Sequence, residues 1–128
     1  MFSFKKDERL CRNVLIENLF SNGKSFNAYP LRISYLFVNE ESINPAQVLF
    51  IVSKRRFKKA NKRNLLKRRM REAYRLNKSE LYNCLNNCSL KLIISINYVS
   101  NDVLSYTEIE EQMIKTIKKL EAIVSDKM

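Results

Sequence analysis

Arg63, Asn64, Lys67, Arg68, Arg71 and Arg75 have side chains suited to binding chemistry, and they sit at helical spacing. A guanidinium presents a planar fork of donors that matches the paired oxygens of a phosphate, and an ammonium adds a compact charge. Asn64 offers a donor and an acceptor together, which suits a base edge or a 2′-hydroxyl; its alternative is a helix-surface amide with no specific partner. Proton transfer and hydrolysis lack their usual agents. The chain has no His, and Glu72 stands alone among cations that keep it ionised and poorly basic. No Asp or Glu cluster suggests a two-metal centre. Cys11, Cys84 and Cys88 are odd in number and match no zinc pattern, so they read as reduced, incidental cytosolic thiols. No catalytic or metal-ligating residue is expected.

These side chains lie in a segment that holds almost all of the excess charge. From Ser53 to Lys78 there are thirteen Lys and Arg residues and one acid, a net of +12, against +11 for the whole chain. A mixed-sign run would read as a solvated helix face laced with ion pairs. Here only Glu72 is available to pair, with Arg68 or Arg75, for a few tenths of a kcal/mol. A block this one-sided reads as a polyanion-binding site.

The segment has no Gly or Pro and is rich in helix formers, from about Lys59 onward. Leu65, Leu66, Met70, Ala73 and Leu76 fall on one side and the cationic set on the other. Arg69 breaks the apolar arc, and its aliphatic stem can carry the charge to the edge.

The other elements must position this helix. Glu8 to Asn22 reads as a helix with Leu10, Val14, Leu15, Leu19 and Phe20 apolar, stopped by Gly23 in a left-handed conformation. Tyr29 to Val38 alternates as a strand, with Leu31, Ile33, Tyr35 and Phe37 on one face and Arg32, Ser34 and Leu36 on the other. Asn39 to Pro45 is a polar connection. Gln47 to Ser53 is a strand apolar on both faces, and so central. Lys78 to Asn87 either extends the basic helix or forms a short second one, and Ser89 to Val99 is a third strand. Ser105 and Glu108 form a capping box for a last helix, with Ile109, Met113, Ile117, Leu120 and Val124 as its stripe. The order α-β-β-α-β-α predicts a single α+β domain over residues 1–128. Were the strands flanking the basic helix adjacent and parallel, right-handed crossover would be the general rule. No apolar run approaches the roughly 20 residues of a membrane span, and the charged N-terminus lacks a secretory core.

The run Arg63-Asn64-Leu65-Leu66-Lys67-Arg68-Arg69-Met70-Arg71-Glu72-Ala73-Tyr74-Arg75 resembles the arginine-asparagine-arginine signature of the bacterial ribonuclease P protein component. Ser53-Lys54-Arg55 and Ala60 sit where that family has its strand end and helix approach. Arg9-Leu10 and Leu19-Phe20-x-x-Gly23 resemble its N-terminal helix. The resemblance extends over roughly residues 8–123. It implies a two-layer α/β sandwich like domain 2 of ribosomal protein S5, with a left-handed βαβ crossover. It implies a cytoplasmic partner of a catalytic RNA subunit and precursor tRNA, with no membrane and no required protein partner. The RNA subunit would perform the endonucleolytic removal of the 5′ leader, with Mg²⁺ held mainly by that RNA and the substrate.

By the same resemblance Arg63, Asn64, Lys67, Arg68 and Arg71 contact RNA, with Lys54 and Arg55 nearby and Arg75 on the same face. The leader cleft takes Phe20 and either Ser34 or Tyr35. The family often has an aromatic where this chain has Ile16, which leaves base stacking to Phe20 and Tyr35. Core packing is the competing role for both rings. Two other classes share the charge pattern: a ribosomal or other structural RNA-binding protein, and a DNA-binding regulator. The regulator is disfavoured because a strand follows the basic helix, with no zipper or helix-turn-helix spacing.

Overall fold

The computed structural model describes residues 4–39 and 44–127, and its elements run α1 (Asn13–Asn22), β1 (Lys24–Ala28), β2 (Leu31–Val38), β3 (Ala46–Val52), α2 (Ala60–Asn77), α3 (Ser79–Asn87), β4 (Lys91–Tyr98) and α4 (Tyr106–Asp126). Of the polar connection expected at Asn39 to Pro45, residues 40–43 lie outside the described residues. The strands form one mixed sheet in the order β1-β2-β4-β3, antiparallel except for the β3–β4 pair. The basic helix therefore lies in a crossover between adjacent parallel strands, and the architecture is α+β.

One face of the sheet carries the main core. Leu31 and Ile33 of β2, Val48, Phe50 and Val52 of β3, and Leu92, Ile94, Ile96 and Tyr98 of β4 pack there against α2, α3 and α4. The expected stripe Ile109, Met113, Ile117, Leu120 and Val124 is buried throughout α4. Full burial of such a side chain stabilises by about 1.5–3 kcal/mol. The α4 capping box forms: the Glu108 amide donates to Ser105 Oγ at 3.2 Å and the Ser105 amide to Glu108 Oε1 at 3.4 Å.

Several expectations are corrected. β1 has no counterpart in the expected order: KSFNA has no strong apolar alternation, and it forms because its edge pairs with β2. β3 is an outer strand rather than central, and β4 takes the inner place. Its two apolar faces are both covered, one by the main core, the other through Leu49 against the Leu10, Leu15, Leu19 and Ile93 cluster. Its open edge is partly closed by the Arg9–Val48 bridge and the Leu10 amide bond to Val48 O at 3.0 Å.

The N-terminal helix is shorter than expected. Lys6–Glu8 is a 3-10 turn, Arg9 and Leu10 are drawn into the sheet edge, and α1 starts at Asn13. Of its apolar positions Leu15 and Leu19 are buried, whereas Val14 and Phe20 face solvent. On α2 the buried arc is Leu66, Met70, Ala73 and Tyr74, and Leu76 lies exposed on the flank. Tyr74 continues the i, i+4, i+8 row from Leu66 and Met70 onto the sheet, where its ring meets Phe50 and Phe4 at centroid distances of 5.9 Å each.

Gly23 ends α1 with φ −73°, not in the left-handed region. A Cβ there would lie 2.4 Å from Leu19 O, 2.9 Å from Leu19 Cδ1 and 3.0 Å from Tyr35 O, so close approach is what requires glycine. The left-handed position is Ser89, at φ 55°, after α3. The Leu90 amide reaches Leu85 O at 2.9 Å and the Ser89 amide reaches Asn86 O at 3.2 Å, the two bonds of a Schellman stop. Gly23→Ala should therefore destabilise the fold by about 1–3 kcal/mol through overpacking. Ser89→Gly should stabilise it by up to about 1 kcal/mol by relieving the left-handed strain. Urea denaturation of both variants, with opposite signs expected, checks the assignment.

Candidate nucleic-acid interface

The exposed side of α2 is a ridge. Asn64, Arg68 and Arg71 are exposed and Arg75 half-buried, at i, i+4, i+7 and i+11, with Lys67 half-buried along its margin. The sequence-predicted cations are thus brought together on one face, though they are not equivalent. Arg63 folds back on the turn before the helix, where Nη1 donates to Phe57 O at 2.8 Å and Lys58 O at 2.9 Å. Arg75 pairs with Glu72, its Nε 3.2 Å from Oε2, and this hydrogen bond holds the exposed Glu72 carboxyl below its ordinary range. Arg69 reaches the helix edge and donates to Leu104 O.

Lys54 and Arg55 are exposed in the turn after β3. Ser53 Oγ shapes that turn by accepting from the Arg55 amide at 3.0 Å and the Arg56 amide at 3.3 Å.

Lys78, the last cation of the basic block, does not belong to this surface. It is 6% exposed and paired with Glu8, which is 5% exposed. Tyr82 OH donates to Glu8 Oε2 at 2.7 Å, the Lys5 amide to Oε1 at 3.1 Å, and Tyr74 OH to Tyr82 OH at 3.2 Å. Burial pushes the Glu8 carboxyl up, but the Lys78, Tyr82 and Lys5 bonds outweigh it and leave the group below the ordinary value. Burial drives the Tyr74 and Tyr82 phenols far up, so both remain donors.

A second feature lies on the sheet face opposite the main core. α1 covers only part of that face and leaves a cleft, with Phe20 and Leu19 on its helix wall and Ser25, Arg32, Ser34 and Asn97 on its floor. Phe20 is 56% exposed, so core packing does not account for it. Strand register supplies the floor: Ser25, Ser34 and Ser95 lie in one cross-strand row, and Asn27, Arg32 and Asn97 in the next. Arg32 Nη2 lies 3.4 Å from Ser25 Oγ, and the buried Oδ1 of Asn97 has no hydrogen-bond partner among the described residues.

The structure separates the two candidates Ser34 and Tyr35. Ser34 shares the cleft with Phe20. Tyr35 packs on the other face, 6.0 Å from Phe26 and 6.5 Å from Phe37 by ring centroids. Ile16 packs against the Leu10 cluster beneath α1. Arg32, Ser95 and Asn97 were not singled out from sequence, although Ser95 and Asn97 alternate with Ile94, Ile96 and Tyr98 and so announce a polar face.

Among the described residues no three His, Cys, Asp or Glu side chains gather as a metal site, and no helix is long and apolar enough to cross a membrane. Glu8 and Glu72 are each engaged by a cation.

Glu8→Gln should remove the counter-charge of Lys78 and cost about 3–5 kcal/mol, as breaking a buried pair does. The sign with pH follows from the lowered Glu8 value. Its contribution is complete above the unfolded glutamate value of about 4.3 and is lost as pH falls through the folded one. Urea midpoints between pH 3 and 7 (roughly the carboxylate window) should show that acid-linked loss in the parent and lack it in Glu8→Gln.

The chain is similar to known proteins over nearly its full length. The family model Ribonuclease P matches residues 4–121. A protein of Porphyromonas gingivalis named ribonuclease P protein component is 36% identical over 119 residues, covering 93% of this chain and 87% of that protein. One of the same name from Chlorobium phaeobacteroides is 45% identical over 83 residues, 62% of this chain and 57% of that protein. In fold, the RNase P protein of Staphylococcus aureus superposes with a TM-score of 0.62 at 19% identity, covering 88% of this chain and 94% of that one. That of Thermotoga maritima gives 0.61 at 21% identity, covering 88% and 96%.

Proposed function

The chain belongs to the family of ribonuclease P protein components, and we propose that it works in the cytoplasm as the protein subunit of a ribonucleoprotein that removes the 5′ leader of precursor tRNA. The observation that carries this reading is the signature segment Arg63–Arg75 forming one exposed cationic ridge on α2, in a chain that matches the family over residues 4–121. Asn64, Lys67, Arg68 and Arg71 contact the catalytic RNA subunit, and Lys54 and Arg55 add RNA-binding cations in the turn after β3. Arg63 acts partly through the Phe57 and Lys58 carbonyls it holds. The unpaired leader lies in the α1 cleft, where Phe20 stacks on a base and Arg32, Ser34 and Asn97 meet the strand from the floor.

The protein's contribution is electrostatic and positional. Two RNAs repel each other through their phosphates, and mobile ions screen that repulsion only beyond a Debye length of about 8–10 Å at physiological salt. Cations fixed on a helix act at the contact itself. Mg²⁺ and the hydrolytic step reside with the RNA subunit and substrate, and no further protein partner is required.

Arg68→Glu with Arg71→Glu should weaken RNA binding and flatten its salt dependence by roughly 0.7–0.9 in log–log slope per lost phosphate contact. Lys115→Glu with Lys118→Glu, on α4, should change little. Equal losses from both pairs would mean diffuse attraction and sink the ridge assignment.

Purified protein alone should leave precursor tRNA uncut, whereas adding it to a cognate RNA subunit should restore cleavage near physiological salt. Phe20→Ala should lower affinity for leader-bearing tRNA more than for mature tRNA. Cleavage by RNA-free protein, or an unchanged preference in Phe20→Ala, would overturn the corresponding part.

A further inference from the structure

Tyr29, in the turn between β1 and β2, carries a ring that stands out in solvent at 64% exposure. It sits at the end of the sheet where Ala28, Leu31, Tyr98 and Val52 form the last cross-strand row. Three connections leave that end: the Tyr29-Pro30 turn, residues 53–59 and residues 99–105. They carry the exposed cations Lys54, Arg55, Arg56, Lys58 and Lys59 against one acid, Asp102. With strands about 4.8 Å apart, the Tyr29 turn and the start of the cationic turn are about 10–15 Å apart.

This end is braced. The Val99 amide donates to Pro30 O at 2.8 Å, tying the 99–105 connection to the Tyr29 turn. Tyr98 OH donates to Asp102 O at 2.6 Å and accepts from the Leu104 amide at 3.1 Å. Arg56 Nη1 donates to Asn101 Oδ1 at 2.8 Å, joining the cationic turn to the same connection. The row Asn27, Arg32, Asn97, Ile51, which includes the floor of the α1 cleft, is the next one in from this end. The cleft therefore runs toward Tyr29 and the cationic turn.

We infer that this sheet end is a second stacking site for the same unpaired RNA strand. Tyr29 takes one base beyond those in the cleft, and Lys54 and Arg55 take the flanking phosphates. The inference rests on the cleft being occupied by single-stranded RNA. A protruding aromatic beside fixed cations suits an unpaired strand, because every base has a face to stack and every linkage a charge. Tyr adds contact area at low conformational cost, having two side-chain torsions to fix.

The test uses the full chain and single-stranded RNA oligonucleotides carrying one 2-aminopurine at successive positions, whose fluorescence falls when the base is stacked. Two separated positions should be quenched in the parent. Tyr29→Ala should restore fluorescence at one and leave the other, Phe20→Ala should do the reverse, and Tyr29→Phe and Tyr29→Trp should keep both. Affinity for the longer oligonucleotides should fall roughly 5- to 150-fold in Tyr29→Ala, the equivalent of one stacked base. Tyr29→Leu, which keeps bulk but has no ring, should match Tyr29→Ala and serves if the smaller variant fails to fold. Unchanged quenching in both ring-less variants, with the Phe20-dependent signal still present, overturns this inference and spares the cleft. Quenching that depends on neither residue removes the cleft reading and this inference together.

Discussion

Mutual repulsion among the cations of α2 is the constraint to which the rest of the fold answers. Arg63/Lys67, Lys67/Arg71 and Arg71/Arg75 are like-charged i, i+4 pairs, and Arg68/Arg71 an i, i+3 pair, each unfavourable by about 0.2–0.5 kcal/mol. Glu72 relieves one end only, through Arg75. Against this stand Leu66, Met70, Ala73 and Tyr74, all with no exposed surface. Each of the larger side chains contributes about 1.5–3 kcal/mol. Burial exceeds repulsion several-fold, so the helix can hold its charges in line with no polyanion bound. The charge sets how α2 behaves toward partners, and the apolar arc sets that it forms at all.

A second consequence is that the chain treats its cations differently according to what surrounds them. Lys78 belongs to the same basic block but sits where α2 passes into α3, under the N-terminal segment. There it faces Phe4 at 5.6 Å and Tyr82 at 5.1 Å from the ring centroids, and it pairs with Glu8. A buried ammonium without a counter-charge would be strongly unfavourable. Glu8 is supplied from 70 residues upstream, and the 3-10 turn Lys6–Glu8 places it. The N-terminal segment thus does two jobs. It closes the β3 edge through Arg9 and Leu10, and it neutralises the one cation of the block that the fold buries.

The two faces of the sheet show the same division. One is apolar and covered by three helices. The other is apolar only beneath α1, where Leu10, Leu15, Leu19 and Ile93 meet, and polar beyond it. An unpartnered buried amide oxygen costs about 1–3 kcal/mol, and Asn97 Oδ1 is such an atom among the described residues. A third apolar layer over Ser95 and Asn97 would leave more hydroxyls and amides unsatisfied. The partial cover of α1 is therefore a property of the strands beneath it, and the cleft follows from their composition.

What could be read from the sequence, and what could not, divides along the same lines. The cationic ridge, the α4 stripe and the Ser105 cap were legible because residues three or four apart in one helix settle them. The alternation in β2 correctly separated Ser34 from Tyr35, since neighbours on a strand point to opposite faces. It could not say which face α1 would cover, because that depends on β2 pairing with β1 and β4 and on where the chain returns. β1 was missed for the same reason: its five residues become a strand through a neighbour rather than through their own pattern. The Glu8–Lys78 pair joins two segments whose local sequences give no hint of each other. Gly23 is the instructive intermediate case. A glycine after a helix is a sound local signal for a stop, and α1 does stop there. Yet φ −73° is open to any residue, and the Cβ is excluded by Leu19 on one side and by Tyr35 O, from a strand, on the other. The local rule identified the position, but the contact that excludes a side chain there is partly tertiary.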